Sequence, residues 1–428
     1  MLYTRSPKLF FLVDCNNFFV SCERVFNPKL KNKPVVILSS NDGCVISRSQ
    51  EAKALQIPMG APFFEYEQLF KKHGVIVHSS NFALYADMSA RVMATLETFS
   101  QELEIYSVDE AFLLMPFSLS QVDLIAYGYT IRQKIYQATG IPVSIGIGST
   151  KTLAKLANAI AKKGAFVYYL EHNEQLNKTL SELPVNEVWG IGRRYNRFLQ
   201  AKGIKTVLDL KNLDHQWARK QLTINGLKTV LELNGVSCFA INAADEVKKT
   251  ITVSRMFGQP ITEKSQLYEA VTEYTTSALR KLRNQNSLAS NITVFVMVRQ
   301  YHDATRLFYQ ETKSLALPTA YTPDFIKAAK KCIDQLYQAS LIYKKVGVTL
   351  SGFVPADFKQ LSLADKISFY NEEKENLMKA VDLINNKWGK NTVFYAAAGT
   401  HQQWWAKSLK RTPCYTTSWQ ELLKVRIA

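Results

Sequence analysis

Three carboxylates carry the most suggestive chemistry in this chain. Asp14 closes the run Leu9 to Val13, and Asp109 and Glu110 stand side by side in Ile105-Tyr-Ser-Val-Asp-Glu-Ala-Phe112. Neighbouring side chains on a regular strand face opposite ways, so the pair converges only where the backbone turns or bulges. Adjacent acids repel and are costly to desolvate, which suits either a solvent-exposed hairpin tip or a bound divalent cation. Hard oxygen donors of this kind suit Mg²⁺ held jointly with substrate phosphates, with Mn²⁺ as a substitute. Two such ions about 3.5–4 Å apart would activate an attacking hydroxyl and stabilise the leaving oxygen of an in-line phosphoryl displacement. Read alone, Asp14 is also a plain acid at a helix N-terminus.

Elements must bring these residues together. Apolar patterning predicts a strand at Leu9–Val13, a helix from about Asn17, and strands at Val35–Ser39 and Cys44–Ser47 around the turn signal Asn41-Asp-Gly43. Helices at Gln50–Leu55, Ala83–Phe99 and about 123–138, with strands at Leu103–Ser107, Ala111–Met115 and Val143–Ile147, complete the first 170 residues. This order fits a ferredoxin-like split β-α-β-β-α-β sheet with about 19–79 inserted as a small lobe, and it sets the first strand beside the strand containing Asp109. A helical region spans about 170–240. From Thr250 to Gly352, β-rich runs at Thr252–Phe257, Asn291–Arg299 and Val346–Leu350 alternate with helices at about 265–283 and 323–339, a second α/β domain. The last 75 or so residues read as a polar, aromatic, irregular tail. The whole is an α+β multidomain chain.

Composition narrows the partners. The chain has 428 residues, 47% hydrophobic, and 53 Lys+Arg against 36 Asp+Glu give a net charge of +17, which points to a polyanion. Between Val188 and Val230 there are nine Lys/Arg and two Asp/Glu, around Gly190-Ile-Gly-Arg-Arg194. Backbone N–H groups at Gly190 and Gly192, with Arg193 and Arg194, suit DNA phosphates; a plain structural turn is the alternative. The N-terminal apolar run is too short for a signal segment or a span and no later stretch is long enough, so a cytoplasmic protein without a membrane partner is expected. The six cysteines lack CxxC spacing and read as reduced thiols. Lysines 151, 155 and 162 share a face of the segment after Gly146-Ile-Gly-Ser-Thr150, and Arg48 and Lys53 flank the helix after the Asn-Asp-Gly turn. Either set serves phosphate or is a solvated surface.

Taken together, VDCNNFFVSCE, SNDGCVISRSQEAKAL, SSNFALYADMSARVM, EIYSVDEAF, GSTKTLAKLAN and VWGIGRR make the chain resemble the Y-family, translesion DNA polymerases. Within them it is most similar to the UmuC-type catalytic subunit of bacterial DNA polymerase V. The resemblance covers nearly the whole chain and implies a palm at 1–18 and 80–169, fingers at 19–79, a helix-hairpin-helix thumb at 170–240, a little finger at 245–352 and a partner-binding tail at 353–428. It implies Asp14, Asp109 and Glu110 as ligands of two metal ions, Lys53 and Lys162 as triphosphate contacts, and Phe19, beside Phe18, as a steric gate against the 2′-OH. Phe18 and Phe19 also lie on a helical core stripe. Gln50 departs from the tyrosine that many members carry beside the triphosphate. Gln360, Leu361 and Leu363 resemble a clamp-binding peptide, with Ala364 where an aromatic residue is usual.

The expected substrates are primer-template DNA and dNTP. The expected partners are a processed UmuD-type dimer, RecA and the β sliding clamp, in an error-prone SOS response. A nucleotidyl cyclase would use the same carboxylates, though the Phe19 gate opposes a ribonucleotide substrate. A non-catalytic DNA-binding replication accessory protein has no need of them.

Overall fold

Lys8-Leu-Phe-Phe-Leu-Val-Asp-Cys15 forms the central strand β1, apolar on both faces because both are covered. The computed structural model describes residues 8–116, 121–171, 174–242, 247–300, 306–357, 368–400, 404 and 408–423. After β1 come α1 (Phe18–Phe26), β2 (Val35–Leu38), β3 (Val45–Arg48), α2 (Gln50–Ala54), α3 (Phe63–Lys72), β4 (Ile76–Ser79), α4 (Phe82–Glu97), β5 (Leu103–Ile105), β6 (Glu110–Pro116), α5 (Gln121–Thr139), β7 (Val143–Gly148), α6 (Lys151–Ala161) and β8 (Val167–Leu170). The main sheet runs β5-β6-β1-β7-β8. Strand parity sorts its two faces. Leu9, Phe11 and Val13 join Val20, Leu84, Val92 and Ile131 in one core. Phe10 and Leu12 meet Phe112 and Ala154 on the other face, where α6 lies.

The inserted lobe is a small sheet of order β3-β2-β4, with β2 antiparallel to β3 and parallel to β4. Val36, Leu38, Val45, Ile57 and Phe70 make its core. Helices α7 (Glu174–Glu182), α8 (Arg193–Ala201), α9 (Val207–Lys211) and α10 (His215–Leu233) follow. They pack around Leu180, Val185, Leu199, Val207, Leu222 and Val230. Helix α10 is broken at Thr223, whose φ of 68° and ψ of −175° are not helical.

The chain divides into two compact units, one of residues 1–245 with 409–428 and one of 246–408. The second holds β9 (Ile251–Ile261), α11 (Lys264–Asn284), β10 (Ser287–Gln300), β11 (Arg306–Thr319), α12 (Thr322–Leu336), β12 (Leu341–Pro355) and α13 (Ser368–Trp388). Its antiparallel sheet is ordered β11-β10-β12-β9, with α11 and α12 contributing to the core. The apolar runs do not predict edge strand β11; its alternating half-exposed pattern is that of a strand covered on one face. The tail departs from the expectation of irregularity in two ways. Residues 368–388 form the 21-residue helix α13, and residues 409–423 fold with the N-terminal unit. Along α13 the described residues are mostly exposed and Met378 is buried, so its apolar signal is weak. The cysteines are free thiols.

Candidate active site

The turn before β6 resolves the adjacent acids. Ser107 Oγ accepts hydrogen bonds from the backbone N–H of Asp109 at 3.3 Å and of Glu110 at 3.1 Å, and donates to Asp109 Oδ1 at 2.6 Å. The N–H groups of Tyr106 and Ser107 both donate to the Glu110 carbonyl, closing the loop. Glu110 then enters β6 directly opposite Asp14 on β1, while the Asp109 carbonyl accepts from Cys15 N–H at 2.8 Å. Asp14 shares strand parity with Phe10 and Leu12, and Glu110 with Phe112, so both acids lie on the face that α6 covers.

Helix α6 brings the cations. Lys155 Nζ lies 2.8 Å from Glu110 Oε1, and Lys162, at the helix end, lies 2.7 Å from Asp14 Oδ2. The rings of Tyr106, Phe112 and Trp189 surround the Lys155 ammonium at 4.3, 5.5 and 5.3 Å. Lys151, on the same helix, is instead buried against Glu104 and the Ala240 carbonyl, so it is neither a solvated charge nor open to phosphate. The helix sits close because β7 presents glycine to it. A Cβ on Gly146 would lie 2.2 Å from Ala154 O and Asn158 N.

Burial pushes the Asp14 carboxyl above its usual value; Lys162 opposes this, and Asp109 and Glu110 add to the rise. Lys53 faces the same cluster from the inserted lobe. Its amine is held below its usual value by burial and then by the charges of Arg48 and Lys162, with Asp14 opposing. Arg48 Nη1 donates to the Ile57 carbonyl, while its buried Nε has no hydrogen-bond partner among the described residues. Asp14, Asp109, Glu110, Lys53 and Lys162 are therefore one electrostatic neighbourhood. Among the described residues, however, no three Asp, Glu, His or Cys side chains converge closely enough to hold a metal ion.

The two phenylalanines separate. Phe18 is buried at 3% exposure in the main core, whereas Phe19 is partly exposed. The Phe19 ring stacks on Tyr85, with centroids 4.5 Å apart and planes at 13°, and meets Phe82 edge-on at 5.9 Å. Gly190, with a φ of +91°, and Gly192, the N-cap of α8, present Arg193 and Arg194 at the surface. The Gln360, Leu361 and Leu363 peptide lies outside the described residues. Sequence reading missed Ser107 and Tyr85. The serine was legible, since Ser two residues before Asp is a side-chain turn signal. The tyrosine was not, because its stacking partner is 66 positions away.

Comparison with known proteins places this geometry. Among solved structures, a chimeric Y-family DNA polymerase aligns with a TM-score of 0.64 at 21% identity, over 81% of this chain and 99% of that one. DinB from Sulfolobus solfataricus aligns with a TM-score of 0.52 at 22% identity, over 80% and 98%. The fold is therefore that of a Y-family DNA polymerase. Residues 13–159 match the impB/mucB/samB family, 248–363 the C-terminal domain of that family, and 375–425 a domain of unknown function, DUF4113. Protein UmuC of Salmonella typhimurium strain LT2 is 39% identical over 98% of this chain and 100% of its own length. Protein ImpB of Salmonella typhimurium is 38% identical over the same shares. DNA polymerase IV of Clostridium acetobutylicum is 25% identical over 90% and 97%. The chain belongs to the impB/mucB/samB family and is a UmuC-type Y-family, translesion DNA polymerase, which sets aside the cyclase and accessory-protein readings. No helix among the described residues is long and apolar enough to cross a membrane.

Proposed function

We propose that this enzyme adds deoxynucleotides to a primer 3′-OH opposite damaged template, with low fidelity and within the SOS response, by in-line phosphoryl transfer at Asp14, Asp109 and Glu110. The observation that carries the reading is the pairing of Asp14 with Glu110 across β1 and β6, with Asp109 held at the same strand ends by Ser107. The donor set fits a hard divalent cation because its oxygens are carboxylates; the Lys162 and Lys155 ammonium groups that pair with Asp14 and Glu110 would have to give way, and the three acids draw together, for a cation to bind. Asp14, Asp109 and Glu110 would hold two Mg²⁺ ions, or Mn²⁺ in their place, which supply Lewis-acid activation of the attacking hydroxyl and stabilise the leaving oxygen.

The chain's own residues do the rest. The charges of Arg48 and Lys162 both act on Lys53, with Asp14 opposing them, and this concentration of positive charge, with an Arg48 Nε that has no partner among the described residues, suits a triphosphate. Gln50, in place of a tyrosine, leaves more of that contact to the cations. Phe18 underpins α1, and Phe19, on the partly open side, excludes a 2′-hydroxyl by its bulk. Gly190, Gly192, Arg193 and Arg194 hold primer-template phosphates without reading bases. The residue ranges given above as palm, fingers, thumb, little finger and tail belong to the same reading. So do a cytoplasmic location, a processed UmuD-type dimer, RecA, and the β sliding clamp bound through Gln360, Leu361 and Leu363.

The test is Asp109→Ala in a primer-extension assay on undamaged and abasic templates. Incorporation is expected to be lost, while primer-template affinity, which rests on Lys and Arg phosphate contacts, stays close to that of the parent enzyme. Extension at the parent rate would overturn the assignment of the acids.

A further inference from the structure

We infer that residues 411–415, within the stretch matched as a domain of unknown function, form a strap that sets the position of Phe19, with Thr412 as its positioning residue. The inference rests on the reading of Phe19 as the ring that discriminates against ribose. Lys410 and Arg411 attach to the end of β4. The Ser79 N–H donates to the Lys410 carbonyl at 3.1 Å, the Lys410 N–H donates to Ser79 Oγ at 2.9 Å, and Arg411 bridges Ser79 in parallel. The strap then reaches the two helices that frame the Phe19 ring.

On α4, the N-cap Asn81 accepts from the Leu84 N–H through Oδ1 and uses Nδ2 on the strap. Its two N–H groups are shared among three acceptors, the Thr412 carbonyl at 3.0 Å, Thr412 Oγ1 at 3.1 Å and the Pro413 carbonyl at 3.0 Å. On α1, the Thr412 hydroxyl donates to Glu23 Oε1 at 3.1 Å, and Tyr415 stacks on Phe26 with centroids 4.9 Å apart. The two helices are also joined directly, because Tyr85 OH donates to the same Glu23 oxygen at 2.7 Å.

Tyr85 is the ring on which Phe19 stacks, so its tilt sets that of Phe19. One end of Tyr85 is fixed by Glu23, and Glu23, 1% exposed, is fixed from the other side by Thr412. A carboxylate this deeply buried depends on its donors. Without the Thr412 hydroxyl, Glu23 and Tyr85 are free to shift together, and the stacked ring moves with them. Phe82, which meets both Phe19 and Tyr85 edge-on, follows the strap-bound Asn81 directly in the chain. The strap therefore acts on the gate from both of its walls without touching the carboxylates that pair with Lys155 and Lys162.

The experiment measures the ratio of kcat/KM for dNTP over the matching rNTP, in the full-length enzyme on primer-template. Thr412→Val keeps the side-chain shape and removes the hydroxyl; the ratio is expected to fall about three- to tenfold, the scale of one missing hydrogen bond. Thr412→Ser restores it. Phe19→Ala lowers the ratio further, and adding Thr412→Val to Phe19→Ala produces no additional change, because the ring to be positioned is gone. Tyr415→Leu, which keeps apolar bulk on Phe26 but removes the stack, moves the ratio in the same direction as Thr412→Val and serves if the latter folds poorly. A parent-like ratio in folded Thr412→Val and Tyr415→Leu, with a lowered one in Phe19→Ala, would mean that the strap only stabilises the fold. An unchanged ratio in Phe19→Ala would instead remove the gate, and the inference with it.

Discussion

Glu23 shows how one residue ties chemistry to stability. Burial pushes its carboxyl above the usual value, and the hydroxyls of Tyr85 and Thr412 only partly oppose this. A raised folded value means that the native state binds more protons than the unfolded chain between the two pKa values. The side chain's contribution is then most favourable below the unfolded value and declines as pH rises towards the folded one. Glu23→Gln keeps an acceptor oxygen and cannot ionise. Its melting temperature relative to the parent is therefore expected to climb as pH rises from about 4 towards neutrality, with each kcal/mol worth roughly 2–4 °C in a unit of this size. A difference that stays flat across that range would show that Glu23 titrates as it does in the unfolded chain.

At the scale of elements, the seat of α6 on the sheet decides where the cations fall. Asn158, buried in that helix, donates from Nδ2 to the Leu12 carbonyl at 3.3 Å and to the Ser144 carbonyl at 2.8 Å, fastening α6 to both central strands. Gly146 lets the helix backbone come this near, and the neighbours of an added Cβ would be backbone atoms that cannot rotate away. Gly146→Ala is expected to cost at least the ~1–3 kcal/mol typical of overpacking and to lower incorporation, because Lys155 and Lys162 move with the helix. Urea unfolding gives the first quantity and primer extension the second. Parent-like values of both would mean that the sheet yields at that point and the close seat is not required. The same geometry explains why the strand Val143-Ser-Ile-Gly-Ile-Gly148 alternates apolar residues with small ones: the small ones face the helix.

For the whole molecule, a net charge of +17 makes binding to a polyanion strongly salt-dependent. Arg193 and Arg194 stand exposed at the start of α8 and carry no resolved role in the core of their unit. Replacing both with alanine is expected to weaken primer-template binding uniformly across sequences and to flatten the plot of log affinity against log salt by about 0.9 for each phosphate that is no longer neutralised. Folding should be untouched, since both side chains are at the surface. Fluorescence anisotropy at several salt concentrations checks the slope. A slope equal to the parent's would remove these arginines from the DNA-binding surface.

Local pattern in the sequence determined most of the first unit. Strand parity, the Asn-Asp-Gly turn, the three acids and the lysines of α6 were all legible, because periodicity and turn chemistry act over a few residues. The same pattern was too faint for β11 and α13, each of which covers little apolar surface. Tertiary structure alone decided which charges meet: Lys151 turns to Glu104, Lys155 to Glu110 and Lys162 to Asp14, though the spacing offers all three on one helix. It alone separated buried Phe18 from partly exposed Phe19, and it alone carried Thr412 back to Glu23 across 389 positions. Contacts that distant leave no periodic trace in the chain. They are settled only when packing brings the elements together and each buried polar group finds its partner.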